Sequence, residues 1–96
     1  MVVGVLKVEL LLHAPRSLKE KRGIIQKVLA RCRNRFPVSG AEVGCQDLWQ
    51  RSLLGFCMVS ESEAVIAPCL DRLEEEIVGS GLAEIINSSI EFIHFS

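Results

Sequence analysis

Eight cations stand against a single acid between positions 16 and 35. They are Arg16, Lys19, Lys21, Arg22, Lys27, Arg31, Arg33 and Arg35, and the acid is Glu20. Ammonium and guanidinium groups crowded along one segment suit the phosphates of a polyanion. The start of this run also falls where a helix should begin. Cations are disfavoured in a helix's first turn, so something must offset them. An external phosphate is one candidate, because bare N–H groups at a helix start attract anions. Internal acids are the other, and Glu42, Asp47 and Glu84 are within reach of the fold expected below. At 100° per residue, Lys21 and Arg22 flank Ile25, from where both can lay their stems over the core and pair inward. A solvated, internally paired face and a phosphate-binding face both remain open at this point.

The other reactive residue types are dispersed. Cys32, Cys45, Cys57 and Cys69 are separated by eleven or twelve residues, without the short gap of a zinc hairpin or redox motif. Each reads as a small hydrophobe. His13 and His94 fall at opposite ends of the sheet and form no pair for a metal. No Ser-His-Asp arrangement presents itself. We therefore expect no metal, no cofactor and no catalytic residue. Trp49 stands out, since a tryptophan in a hairpin loop either tucks against a helix end or offers a platform for stacking.

The elements that position these groups follow from periodicity. Residues 2–13 alternate as a strand, with Leu6, Val8, Leu10 and Leu12 on one face and Lys7, Glu9 and Leu11 on the other. Ser17-Leu18-Lys19-Glu20 has the spacing of a capping box, opening a helix that runs to about Arg35 before Pro37. Its apolar stripe is Leu18, Ile25, Leu29 and Cys32. Residues 36–46 and 51–61 read as two strands joined by a glycine-free loop over residues 47–50. A second helix spans about 62–78, with Leu70, Leu73 and Ile77 inward. Pro68 must either begin its regular part or kink it. Residues 82–95 complete the pattern as a last strand.

The order β-α-β-β-α-β predicts an α+β, ferredoxin-like split β-α-β fold. Its four-stranded antiparallel sheet has order 4-1-3-2 and both helices on one face. Residues 1–96 are expected to form one domain. This topology brings the connections 13–18, 46–51 and 79–82 to a single end of the sheet. There Ser17, Asp47, Trp49, Gln50 and Arg51 join Arg16, Lys19, Lys21 and Arg22 as an edge cluster.

The runs Ser17-Leu18-Lys19-Glu20-Lys21-Arg22, Arg35-Phe36-Pro37-Val38, Ala41-Glu42-Val43-Gly44 and Asp47-Leu48-Trp49, with Arg51, resemble the YlxP-like family of small bacterial proteins. The resemblance is strong over about residues 5–60 and extends as pattern through the second helix and last strand. It implies the same ferredoxin-like fold. It implies little about activity, because that family is uncharacterised. Its members tend to be encoded beside translation and ribosome-maturation genes, a contextual hint toward translation. Pro68 and the four cysteines stand outside the resemblance.

Composition bounds the remaining choices. Half of the residues are apolar and a quarter charged, as in an ordinary globular protein. No apolar run reaches the length of a membrane span, and the opening lacks the marks of a secretory leader, so a cytoplasmic location is expected. The net charge of −1 is a sum of opposites. Residues 1–52 hold ten of the eleven basic residues against four acids, whereas residues 53–96 hold Arg72 against eight acids. Three function classes follow. The leading one is a noncatalytic protein contacting structured RNA, such as ribosomal RNA, through phosphates. No strand carries the aromatic and basic signature of a base-stacking sheet. The second is an interaction module that dimerises through the uncovered sheet face, at Leu11 with Ile90/Phe92 or Ile93/Phe95, or through an edge strand. The third is an acylphosphatase-like hydrolase using Arg16 and Asn34, which would lack that chemistry's glycine-rich loop.

Overall fold

Ten residues of alternating burial, Val2–Leu11, form the central strand β1 of the computed structural model, which describes residues 1–96. The elements that follow are α1 (Leu18–Arg35), β2 (Ser39–Gly44), β3 (Arg51–Ser60), α2 (Glu63–Gly79) and β4 (Glu84–His94). The sheet is antiparallel with order β2-β3-β1-β4, which is the expected ferredoxin-like arrangement. Both helices cover one face. No helix is long and apolar enough to cross a membrane.

Period-two alternation decides which side chains enter the core. Leu6, Val8, Leu10 and Leu12 from the first strand segment, and Leu54, Phe56 and Met58 from β3, are buried beneath the helices. They meet Ile25, Val28, Leu29 and Cys32 of α1 and Ile66, Leu70, Leu73 and Ile77 of α2. Each such side chain, fully buried, contributes about 1.5–3 kcal/mol. Ile85, Ile90 and Phe92 of β4 pack at the margin. Of the alternatives read from the sequence, Ile93 and Phe95 are therefore the pair on the uncovered side.

Local chemistry sets the ends. Ser17 caps α1, its Oγ accepting the Glu20 N–H at 3.1 Å. The reciprocal arm of the capping box is displaced by one residue, because the Glu20 carboxylate accepts the Arg16 N–H at 2.6 Å. β2 is shorter than its sequence pattern suggests. The Phe36 N–H still closes the helix onto the Cys32 carbonyl, and a tight turn from Phe36 to Val38 follows. A bulge between Glu42 and Gly44 and a left-handed Cys45 (φ 60°) end the strand at its other limit. Pro68 lies inside α2, where the Ala64 carbonyl loses its usual helical donor. It begins no new segment: α2 runs through it.

Gly4 fixes how close α2 can come to the sheet. A Cβ placed there would lie 2.3 Å from Ile66 Cγ2 and 3.5 Å from Leu70 Cδ1. Ile66 is β-branched and fully buried, so its methyl group has few rotamers in which to retreat. Gly4→Ala is expected to destabilise the fold by about 1–3 kcal/mol through overpacking. Urea denaturation should show a lower midpoint with an unchanged slope.

Candidate functional site

Three connections meet at one end of the sheet, as the topology requires. The Leu12 N–H donates to the Gln50 carbonyl at 2.8 Å, His13 Nε2 lies 2.9 Å from Glu84 Oε2, and Lys21 Nζ donates to the Cys45 carbonyl. His94 pairs with Glu63 at the opposite end, where Val2 faces His94 across the ladder.

The basic run divides into three parts once it is wound into α1. The first is Lys21 alone. Its side chain is 1% exposed and its ammonium sits 3.0 Å from Glu42 Oε2. The Ser52 hydroxyl donates to that same oxygen at 2.6 Å. One cation thereby joins α1 to β2, β3 and the hairpin loop, in a closed network with no unpaired buried side-chain polar atom.

Arg31 and Arg35 form the second part. They sit on the α2 side of the helix, and both reach Glu76, at 2.5 and 3.1 Å. The hydrogen bond from Arg31, with the charge of Arg35 behind it, holds the Glu76 carboxyl below its ordinary value. Cys32 lies beneath this cluster. Burial and the negative charge of Glu76 push its thiol up to about 11, so it is not a thiolate at neutral pH.

The third part is Arg16, Lys19, Arg22, Lys27 and Arg33, all exposed and none within salt-bridge distance of a carboxylate. Lys19 and Lys27 point away from the sheet. Arg22 and Arg33 fall in one helical row with Gln26 and Leu29, bordering a groove of about 330 Å³ between α1 and β2. Arg33 also donates to the Gly40 carbonyl at 3.3 Å. The two guanidinium positions are about 16 Å apart along the helix axis. β2 is an edge strand, so its outer backbone polar groups also face this groove.

The edge cluster is partly structural. Ser17 is consumed as the helix cap, and Arg51 pairs with Glu9 at 3.2 Å. Asp47, Gln50 and Trp49 are exposed, Trp49 by 52% and its neighbour Leu48 by 50%. The tryptophan is therefore presented to solvent and not tucked against a helix end. Arg16 and Asn34 are near opposite ends of α1, about 25 Å apart. A phosphate held by one is beyond any water positioned by the other, so this pair builds no acylphosphatase site.

Of the three acids expected to offset the cations at the start of α1, Glu42 does so through Lys21; Glu84 meets His13 instead, and Asp47 pairs with none of them. Glu76 is the partner that the sequence expectation lacks, although Arg31 and Arg35 are four apart, hence on one helix face, and the acidic run Glu74-Glu75-Glu76 lies on the neighbouring helix.

Two outcomes test these networks. Lys21→Ala leaves the Glu42 carboxylate half-buried without its cation, with an expected loss of about 3–5 kcal/mol. Lys21→Met with Glu42→Leu should recover much of it in the same chemical denaturation. Glu76 is depressed in the folded chain, so its stabilisation is present above the ordinary value of 4.5 and is lost as pH falls through the folded value. The stability gap between the parent and Glu76→Gln should therefore be fully open at neutral pH and close in acid, as read from urea midpoints across pH.

Comparison with known proteins gives relatives without an assigned activity. Residues 3–90 match a family described as "Protein of unknown function (DUF503)". The chain is 38% identical over 72 residues to "Uncharacterized protein YlxP" of Bacillus subtilis (strain 168), covering 75% of this chain and 78% of that one. Among solved structures, the structural-genomics protein YJCS superposes with a TM-score of 0.62 at 10% identity, over 96% of this chain and 99% of its own. SnoaB, a cofactor-independent oxygenase from Streptomyces nogalater, gives 0.52 at 8% identity over 98% and 92%. These two similarities show a shared fold alone. The match across residues 3–90, with the identity to the Bacillus protein, shows that the chain belongs to the YlxP-like family of unknown function, DUF503.

Proposed function

We propose that this is a noncatalytic cytoplasmic binding protein that contacts the phosphates of structured RNA, such as ribosomal RNA, through the exposed rows of α1. The observation that carries the reading is the set of five cations, Arg16, Lys19, Arg22, Lys27 and Arg33, that no carboxylate of the chain neutralises. Arg31 and Arg35 contribute less, since Glu76 already holds them; Lys21 is withdrawn into the core. Phosphate contact is largely independent of sequence, and folded RNA presents phosphates at fixed spacings that a rigid helix can match by shape. The exposed Trp49 at the helix's starting end adds a surface on which an unpaired base can stack.

A second reading, self-association, draws on a different face. Val59, Val3 and Ile93 share one rung on the uncovered side of the sheet, and two of them are about half exposed. The readings use opposite faces and do not exclude one another.

Purified bacterial ribosomal subunits serve as the probe for the first. Five phosphate contacts predict a fall in affinity of about 10²–10³-fold between about 50 and 200 mM salt. Lys19→Glu, Lys27→Glu and Arg33→Glu together should abolish binding with the circular dichroism spectrum intact. Arg31→Gln with Arg35→Gln should leave most of it. Binding that ignores the triple reversal, or is flat with salt, overturns the RNA reading.

A further inference from the structure

The uncovered face of the sheet is divided unequally. Toward one end lie Met1, Val3, Val5, Val59, Ile93 and Phe95. Toward the other lie Lys7, Glu9, Arg51, Asn87 and Ser89, with the half-buried Leu11 and Leu53 among them. Phe95 continues the side of Ile93 beyond β4, paired through its backbone to Met1. Met1, Val59, Ile93 and Phe95 are 62%, 59%, 44% and 50% exposed. Contiguous exposure of this kind marks a surface that binds something.

The face also carries a recess. Gly55 has no side chain to fill its place, and a shallow, open apolar depression of about 280 Å³ lies there, bordered by Val5, Ala41, Val43 and Cys57. Protruding side chains at one corner and an apolar recess toward the other are the two halves of a self-complementary surface. A two-fold contact requires that pairing: if residue i meets j, then j meets i.

Two charges on this face have no partner. Lys7 and Glu91 form no ion pair, although Glu9 beside them holds Arg51. They stand on adjacent rungs of neighbouring strands, Glu91 opposite Val5 and Lys7 opposite Ser89.

We propose that a second copy of this chain covers the open face, related by a two-fold axis over Val5 that seats Ile93 of each copy in the Gly55 recess of the other. The proposal rests on the self-association reading and specifies its geometry. The ladder registers test it internally. On a lattice with strands about 4.8 Å apart and a rise of about 3.3 Å per residue, requiring Ile93 to face Gly55 fixes the axis completely. Everything else then follows without adjustment. Lys7 falls within about 3 Å, in plane, of the second copy's Glu91, Val3 as near to Cys57, and Phe95 as near to Ala41. One constraint thus places Ile93, Val3 and Phe95 on apolar groups or on Gly55 and joins the two unpaired charges, while Val59 falls beside Ser39 and Met1 at the rim. The strands of the two sheets cross at roughly 70°, close to the orthogonal mode of sheet packing. Glu9 and Asn87 fall outside the overlap, at a wet rim. Both α1 helices remain on the outside.

Sedimentation equilibrium across the micromolar range should give twice the 10.6 kDa of the chain. Ile93→Glu and, separately, Lys7→Glu should each weaken the dimer at least about tenfold, the latter by setting like charges together. Lys7→Glu combined with Glu91→Lys should restore it. Both positions are exposed, so circular dichroism should be unchanged throughout. The Cys57 thiol should react more slowly with a maleimide in the dimer than in the Ile93→Glu variant. A monomer at every concentration overturns self-association itself. A dimer indifferent to Ile93→Glu and Lys7→Glu overturns this axis while leaving self-association standing.

Discussion

A single buried ammonium holds together the end of the sheet where three connections meet. Lys21 sits where α1 crosses the β2–β3 hairpin, and its charge is met by Glu42 and the Cys45 carbonyl, with Ser52 completing the carboxylate's shell. Burying a charge without such partners costs several kcal/mol, so the cation dictates where the acid, the hydroxyl and the loop must be. Cys45 adopts a left-handed backbone conformation that L-residues seldom take, and its carbonyl is the one Lys21 holds. The hairpin loop carrying Trp49 is thereby set beside the start of α1.

The same logic explains why a chain with almost no net charge presents a strongly positive surface. Of eight cations in the basic run, one is spent on the core and two on α2. Five are left outward. The acids that balance the total are elsewhere, with Asp71, Glu74 and Glu75 on the flank of α2 away from Glu76's arginines. Steering depends on the local potential, not on the sum. Glu76 ties α1 to α2 through Arg31 and Arg35, as Glu42 ties α1 to β2 through Lys21.

The architecture was legible in the sequence because period-two and period-3.6 patterns are nearly unbroken in β1, α1 and α2. The failures have local causes. β2 was drawn too long because Phe36 and Val38 look like strand residues. Backbone bonds instead use them to close the helix and turn the chain. The division of the basic run was harder to read. Helical angles put Lys21 and Arg22 equally beside Ile25, yet Lys21 is buried and Arg22 lies in the groove on the β2 side. What separates them is the position of Glu42, a residue of another element. Such a partner is fixed by strand register, which periodicity alone does not supply. Trp49 shows the same limit, since a loop residue has no pattern to report its exposure.

The two sides of the sheet make different demands on the sequence, and that difference bears on function. The helix-covered face tolerates no misfit: Gly4 and Gly40 exist there because Ile66 and the Phe56 ring occupy the space a Cβ would need. Gly55 meets no such restriction. A Cβ there would find only ordinary van der Waals contact with Val43, at 3.4 Å. Packing within the chain therefore does not account for Gly55. The exposed Val59 and Ile93 raise the same question, since a strand face meant for water alone alternates to polar residues. Around Glu9 and Asn87 it does so; around Val3 and Val59 it does not. The change in character along a single strand sets the exposed apolar part of the face at the end remote from Trp49, away from α1 and the hairpin.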